Sequence, residues 1–302
     1  MAQPGPRVGL SIFPGCSDLS DLPARLDEAE GFGVDTIELP IYDYDVVVGG
    51  RIRAEQLARV KAACRGRSAG FTAHGPLGIN FFDPPWRCSR HWNVLAASLE
   101  AAAALDCEHY VLHSGTMGIV QHDGIEDAYE RQREWLVRAG DLARSMGVVV
   151  CVENLFAGYE GVRYTATPAR LARELATIDH PFVQATLDFG HGHLNLAFQG
   201  GDLVEECGQL APRSRHLHVH DNFGRQDDIW TYTHGEKIAF GHGDLHLPVG
   251  WGDIPWDVLM SGCVFPPGVI FNIELEERHW HEAGACIAAT RALAARARIA
   301  TG

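Results

Sequence analysis

Seven successive strand-like segments of this sequence end in or beside a histidine, an aspartate or a glutamate. In chain order these residues are Glu38, His74, His113, Glu153, Asp188, the trio His216, His218 and His220, and Glu274. Gathering so many polar groups at one place costs free energy unless a metal ion or a dense hydrogen-bond network satisfies them. Imidazole and carboxylate ligands together suit Zn²⁺, Mn²⁺, Fe²⁺ or Co²⁺. The pattern therefore predicts a divalent-metal site.

Two short patterns add detail to this predicted metal site. Asp188 and His191 form an Asp-x-x-His motif, which places a carboxylate at a strand end and an imidazole in the turn that follows. His216, His218 and His220 share the same parity along one strand, so their imidazoles can face the same way. We expect at least one of these three to support its neighbours by hydrogen bonding instead of binding metal.

A third motif lies in the long segment between the last two predicted strands. Asp244-x-His246 is followed by Gly250-x-Gly252-x-Ile254-x-Trp256. The two glycines permit a tight backbone path, and we expect Trp256 to anchor the segment to the rest of the protein. An isolated Asp-x-His string is a weak signal, but beside the strand-end residues it predicts two further metal ligands.

Eight short segments rich in Val, Ile and Leu are predicted to be strands, mostly apolar on both faces, as in a buried parallel sheet. They are Val8–Phe13, Thr36–Leu39, Phe71–His74, His109–His113, Val148–Glu153, Val183–Asp188, Arg215–His220 and Val269–Glu274. Because helix-patterned stretches alternate with them, we predict an α/β fold, a (β/α)₈ TIM barrel that forms a single domain over residues 1–302. An open doubly wound sheet is the alternative, but no G-x-G-x-x-G motif follows the first strand.

The predicted helices have apolar residues at helical spacing. They are Leu22–Phe32, Ala54–Cys64, Val94–Leu105, Ile125–Met146, Pro168–Ile178, Leu203–Leu210, Trp256–Met260 and Ala283–Arg298. Thr167 is a predicted N-cap, with Pro168 at the first helical position. Two long loops remain, Gly75–Arg90 and Asp221–Pro255. The active site of a TIM barrel lies at the C-terminal ends of its strands, so we expect the strand-end residues to meet there.

The composition excludes several classes of protein. The chain has 302 residues, a formal net charge of −14 and 16 histidines, and it is 46% hydrophobic and 21% charged. These values are not those of a disordered chain, and the acidic balance argues against nucleic acid as the main partner. No signal-peptide pattern or long apolar segment is visible, and the eight cysteines form no C-x-x-C pair. We expect a cytoplasmic protein without membrane contact, and its oligomeric state stays open, a homo-oligomer included.

Together these motifs resemble the xylose-isomerase-like barrels, specifically the group of sugar phosphate isomerases/epimerases and endonuclease IV. The resemblance covers nearly the whole chain and rests on His74-Gly-Pro, His113, Glu153-Asn154, Asp188-Phe-Gly-His191, His218-Val-His-Asp221, Asp244-Leu-His246 with its Gly-x-Gly-x-Ile-x-Trp tail, and Glu274. It implies that a central divalent ion is held by Glu153, Asp188, His218 and Glu274. The endonuclease IV type adds five ligands, which map onto His74, His113, His191, Asp244 and His246. We therefore expect one to three ions per chain, Zn²⁺ or Mn²⁺, with Co²⁺ and Fe²⁺ as alternatives.

The resemblance implies a metal-dependent isomerase or epimerase of a sugar or a related hydroxy-carbonyl compound. The metal would stabilise an enediolate, while Glu153 and Glu274 would move a proton between adjacent carbons as general base and acid. The side chains predicted to bind the substrate are Glu38, His191, His220, Trp86 and Arg225, with Trp230 and Trp251 as further candidates. For a phosphorylated substrate, Arg225 and Lys237 are the candidates to bind the phosphate.

Three other functions stay open at this point. They are hydrolysis of a phosphoester at several zinc ions, as in endonuclease IV, a lyase or dehydratase with the same metal-enolate chemistry, and binding without catalysis. The endonuclease type carries an aromatic residue that probes DNA soon after the first histidine motif, whereas here no aromatic residue follows His74 until Phe81. Few Arg or Lys residues lie in the predicted mouth loops. We therefore expect a small-molecule substrate rather than nucleic acid.

Overall fold

Eight parallel strands close into a barrel. The structure is a computed structural model that describes residues 5–13, 15–118, 124–159 and 161–301. The strands are β1 (Arg7–Ser11), β2 (Thr36–Pro40), β3 (Gly70–His74), β4 (Cys107–His113), β5 (Val149–Glu153), β6 (Val183–Asp188), β7 (Ser214–Val219) and β8 (Ile270–Ile273). Each strand pairs with its neighbours in sequence order, and β8 returns to pair with β1. The predicted TIM barrel is confirmed, and each predicted strand overlaps an observed one.

Helices connect the strands and cover the outside of the barrel. They are α1 (Leu22–Gly31), α2 (Ala54–Cys64), α3 (Pro85–Ala104), α4 (Ile125–Met146), α5 (Pro168–Ile178), α6 (Phe189–Gln199), α7 (Leu203–Leu210), α8 (His234–Phe240), α9 (Trp256–Gly262) and α10 (Ala283–Arg296). Short 3₁₀ segments span Ile41–Asp43, Ala211–Arg213 and Glu277–Glu282. Three small strand pairs join Val47–Val48 to Arg51–Ile52, Thr116–Met117 to Tyr164–Thr165, and Val264–Phe265 to Arg298–Ile299. None of the helices in the described part of the chain is both long and apolar enough to cross a membrane.

Three helices differ from the sequence prediction. Helix α3 begins at Pro85, nine residues earlier than predicted, so the end of the predicted loop Gly75–Arg90 is helical. The segment after Asp188 was predicted to be a turn, but it forms helix α6. Asp188 is its N-cap and accepts a hydrogen bond from the His191 amide at 2.7 Å. His191 therefore lies in the first turn of the helix. Helix α8 lies inside the predicted loop Asp221–Pro255 and begins with a capping box. The glycines and histidines of α6 and the short length of α8 weaken the periodic pattern of apolar residues that predicts a helix.

The capping signal at Thr167 behaves as the sequence predicted. The Thr167 hydroxyl accepts a hydrogen bond from the Arg170 amide at 3.3 Å, and Pro168 occupies the first turn of α5. Gly147 ends α4 with a φ of 76°, a left-handed conformation that glycine adopts without steric cost. Gly147 therefore fixes where α4 ends before β5, and Thr167 fixes where α5 begins.

The interior of the barrel is polar, whereas the strands were predicted to be mostly apolar on both faces. Alternate strand residues that point inward are polar and fully buried: Thr36, Glu38, Thr72, Thr186, His216 and Asn272. Their outward-pointing neighbours, such as Ile37, Leu217 and Phe271, belong to the apolar core. This period of two follows from strand geometry. A polar interior is unusual because the inside of a TIM barrel is normally filled by branched apolar side chains.

Candidate metal and active site

The C-terminal ends of the strands open into a cavity of about 980 Å³. The predicted site residues that line this cavity are His74, His113, Glu153, His191, Asp244, His246 and Glu274. Three more of them, Asp188, His218 and His220, lie fully buried behind this wall. The structure thus brings together every residue that was predicted to bind metal.

In a central group of four side chains, three carboxylates converge on one imidazole nitrogen. His218 Nδ1 lies 3.1 Å from Glu153 Oε1, 3.3 Å from Glu274 Oε2 and 3.6 Å from Asp188 Oδ2. Ligand atoms on a tetrahedral ion are about 3.4 Å apart, given metal–ligand distances of about 2.1 Å. The spacing of this central group therefore fits a divalent cation.

Two further groups flank the central one. On one side, His74 Nε2 and His113 Nε2 lie 3.3 and 3.5 Å from Glu153 Oε2. On the other side, the ligand atoms of His191, His220, Asp244 and His246 all lie within 4.8 Å of one another. Glu153 belongs to the first two groups, and His191 Nδ1 of the third lies 3.1 Å from Glu153 Oε1, so the three groups form one continuous row of possible ligands.

Several atoms in this row are buried without a hydrogen-bond partner in the described part of the chain. They include Glu153 Oε2, His220 Nδ1 and Asp244 Oδ1. His220 Nδ1 and Asp244 Oδ1 face each other across 3.8 Å. Unpartnered buried polar atoms are costly, and a cation between them would satisfy both. The donor set therefore fits divalent metal, and His220, predicted as a substrate contact, lies among the candidate ligands.

Opposite charges hold several ionisable groups of the row in their charged forms, whereas burial lowers the pKa of His113 to about 4. Burial alone would raise the pKa of Glu153, but His218 holds it well below its ordinary value. Burial would likewise lower the pKa of His218, yet Glu274 and Glu153 raise it well above the ordinary value. The pKa of His246 reaches about 10, because Asp244 outweighs burial. At neutral pH the Glu153 carboxylate is therefore ionised, and a metal that binds displaces the imidazolium protons of His218 and His246.

Comparison with known proteins identifies the family. The sequence profile of the xylose isomerase-like TIM barrel family matches residues 26–291. The chain belongs to this family. An uncharacterized protein of Methanocaldococcus jannaschii is 27% identical over 152 residues, which is 50% of this chain and 47% of that protein. The match thus spans about half the length of this curated relative.

Solved structures share the fold of this xylose isomerase-like barrel. A D-tagatose 3-epimerase-like protein superimposes with a TM-score of 0.70 and 18% identity, over 96% of this chain and 98% of that one. The IOLI protein, solved with a bound zinc atom, superimposes with a TM-score of 0.66 and 16% identity, over 95% and 96% of the two chains. At these identities the likeness shows the fold.

Three predicted substrate contacts lie away from the cavity wall of this xylose isomerase-like barrel. Glu38 is 1% exposed and lies inside the barrel, where Ser11 Oγ donates to its carboxylate at 2.9 Å. Trp86 is 62% exposed on α3, with the Arg87 guanidinium over its ring. Arg225 donates to the Phe240 carbonyl at 3.0 Å. Trp230 and Trp251 do not line the cavity either, whereas Lys237 does.

Other cavity-lining residues were missed by the sequence reasoning. They include Tyr42, Leu155, Phe156, Tyr159, Arg163 and Phe198. Tyr42 follows β2 by two residues and packs edge-on against His74, with ring centroids 5.6 Å apart. Reading two or three residues past each strand end would have found Tyr42 and Phe156. Arg163 and Phe198 lie about ten residues after the C-terminal ends of β5 and β6, so no local signal marks them.

Asp221 ties the Asp244–His246 loop to the xylose isomerase-like barrel. Its buried carboxylate accepts hydrogen bonds from the Gly250 amide at 2.8 Å and from Trp256 Nε1 at 3.0 Å. The Trp256 ring is 8% exposed and packs edge-on against Phe189. The predicted anchoring role of Trp256 is consistent with these contacts. Asp221 is therefore a loop anchor that keeps Asp244 and His246 at the mouth.

Replacing Asp221 with Ala is expected to lower the free energy of unfolding by about 3 kcal/mol, because buried amide and indole donors lose a charged acceptor. Urea unfolding followed by circular dichroism measures this change. Asp253→Ala is the matched control on the same loop, since the Asp253 side chain is 57% exposed, and it should shift stability by less than about 0.5 kcal/mol. Equal unfolding midpoints for Asp221→Ala and wild type would show that Asp221 is no anchor.

Proposed function

We propose that this protein is a divalent-metal-dependent isomerase or epimerase of a sugar or related hydroxy-carbonyl compound. The observation that carries the proposal is the placement of two carboxylates beside one candidate ligand. Glu153 Oε1 and Glu274 Oε2 lie 3.1 and 3.3 Å from His218 Nδ1, and both residues line the cavity. A substrate held there has an acid–base group available on each side.

The two glutamates are placed for proton transfer at carbon. In an epimerisation, one carboxylate takes the proton from the carbon next to the carbonyl, and the opposite carboxylate returns a proton to the other face of that carbon. In an isomerisation, the proton returns to the former carbonyl carbon, and the hydroxyl on the first carbon gives its proton to the former carbonyl oxygen. A bound divalent ion would act as a Lewis acid that polarises the substrate carbonyl. Glu153 is 1% exposed and Glu274 is 13% exposed, so water has little access to either carboxylate. Tyr42 and Phe156 supply apolar surface beside them.

Two structural neighbours support the proposal, one in its reaction class and the other in its metal. One is a D-tagatose 3-epimerase-like protein, and another is the IOLI protein with zinc. A metal-dependent epimerisation next to a carbonyl uses one metal and a pair of acid–base groups. The central group offers ligands for one ion and two such carboxylates.

Hydrolysis of a phosphoester is the second candidate function, because the flanking groups add His74 and His113 on one side and His191, Asp244 and His246 on the other. Several ions in a row would activate water and hold both the attacking and the leaving oxygen. The sequence after His74 lacks an early aromatic residue that would probe DNA, which favours a small phosphodiester over a duplex.

Solvent isotope exchange separates the two candidates. The metal-loaded protein is incubated in D₂O with ketohexoses, beginning with D-tagatose, and the carbon-bound hydrogens are followed by ¹H NMR. We expect deuterium at the carbon next to the carbonyl, and we expect Glu274→Gln to lose this exchange. Cleavage of a phosphodiester or of abasic-site DNA, with no exchange in any sugar, would favour hydrolysis instead.

A further inference from the structure

A buried carboxylate lies inside the barrel, directly behind the central group. Glu38 is 1% exposed, and its Oε1 lies 3.3 Å from His218 Nε2. The opposite nitrogen of the same ring, Nδ1, faces Glu153 and Glu274. One imidazole thus links the inner carboxylate to the carboxylates of the cavity.

Glu38 is fixed by three other side chains of the barrel interior. Ser11 Oγ and Asn272 Nδ2 donate to Glu38 Oε1 at 2.9 and 3.2 Å. His216 Nε2 lies 2.9 Å from Glu38 Oε2. These contacts come from β1, β7 and β8, so the carboxylate is held from three strands and has little freedom to rotate.

Placing an ionised group here is expensive. A buried carboxylate loses several kcal/mol of hydration unless nearby groups compensate it, and apolar residues would fill this space at lower cost. The hydrogen bonds to Ser11 and Asn272 do not explain why a carboxylate occupies this position, whereas the contact with His218 does. A carboxylate that contacts the far nitrogen of a metal-binding histidine orients the ring and sets its tautomer.

The tautomer decides which nitrogen of His218 can bind a metal. A neutral imidazole carries one N–H, and the other nitrogen offers its lone pair. Nε2 forms no hydrogen bond within the described part of the chain, and Glu38 Oε1 lies 3.3 Å from it, so Glu38 is the acceptor available to a proton on Nε2. The lone pair then lies on Nδ1, which is the atom that the central carboxylates surround.

We propose that Glu38 is a positioning residue, which holds His218 as the Nε2–H tautomer with Nδ1 directed at a divalent cation in the central group. This inference rests on the proposed metal-dependent function. It replaces the predicted role of Glu38 as a substrate contact, because the side chain lies behind His218 and does not line the main cavity.

Metal affinity tests the proposal without an activity assay. Zn²⁺ and Co²⁺ dissociation constants are measured by competition with a chromophoric chelator for wild type, Glu38→Gln and Glu38→Ala. We expect a loss of about 10–100-fold for Glu38→Ala, the usual effect of removing such a partner, and a smaller loss for Glu38→Gln, whose amide oxygen still accepts from Nε2. Glu174→Gln is the matched control, since Glu174 is also buried but pairs with Arg133 and Arg170 on the outer helices.

A second measurement uses the wild-type protein alone and does not depend on how a variant folds. In the Zn²⁺-loaded, ¹⁵N-histidine-labelled protein, the His218 ring should show a protonated Nε2 and a metal-bound Nδ1. A protonated Nδ1, or unchanged affinity in both Glu38 variants while wild type binds metal, overturns the positioning role and leaves the proposed function standing. Failure of wild type to bind either metal overturns both proposals.

Discussion

Replacing Glu153 with Gln should reduce kcat/KM by about a thousandfold or more while the barrel stays folded. The amide has the same shape but can neither accept a proton from carbon nor neutralise a cation, and acid–base groups alone contribute about 10²–10⁴-fold. The Glu153 carboxylate also contacts His218 and His191, both at 3.1 Å, so the change weakens the whole row of ligands. The deuterium-exchange assay measures turnover, and circular dichroism checks the fold.

Glu174→Gln is the control for this experiment. Glu174 is a buried glutamate on α5, with Arg133 at 2.6 Å and Arg170 at 2.8 Å from its oxygens. Its replacement should leave turnover unchanged and lower only stability. Glu274→Gln should behave like Glu153→Gln. Retention of more than about a tenth of wild-type turnover by either site variant would be too much for an acid–base group of this kind.

Replacing His191 with Ala should lower turnover by about a hundredfold, the scale expected when a group that binds or supports a metal is lost. His191 connects two ligand groups, because its Nδ1 lies 3.1 Å from Glu153 Oε1 and its Nε2 lies 3.2 Å from Asp244 Oδ2. The loss should appear both in kcat/KM and in the number of metal ions retained after dialysis.

His193 provides the matched control two residues further along α6. Its ring contacts the segment Asp221–Pro255, where Nδ1 lies 3.1 Å from Asn222 Oδ1 and Nε2 lies 3.7 Å from Asp253. His193→Ala should therefore keep turnover within about threefold of wild type, since surface substitutions of this kind change little. Equal losses in His191→Ala and His193→Ala would mean that α6 as a whole, and not the His191 imidazole, supports activity.

The barrel could be read from the sequence because apolar strands and long amphipathic helices carry strong periodic signals. Helices α6 and α8 could not, for different reasons. Helix α6 starts immediately at the end of β6, without a linker, and Asp188 serves both as its N-cap and as a site residue. Helix α8 has only seven residues, too few for a periodic pattern, although the Thr233 and Glu236 spacing of its capping box was visible.

The strand-end rule found the candidate ligands because the C-terminal ends of parallel strands meet at one place. It failed for Glu38 because β2 continues to Pro40. A two-residue difference moves a side chain about 7 Å along a strand, which puts Glu38 inside the barrel instead of at its mouth. Trp86 and Arg225 lie outside strands, where sequence position does not determine the direction of a side chain.

The most direct test of the account is the dependence of deuterium exchange on bound metal. Ions are removed with a chelator, the metal content per chain is measured by mass spectrometry, and Mn²⁺, Zn²⁺ or Co²⁺ is then returned. We predict that exchange disappears in the stripped chain and returns as at least one ion binds, and that Asp188→Asn binds less metal and recovers less activity. Full exchange in a chain that holds less than about 0.1 metal ion would contradict it.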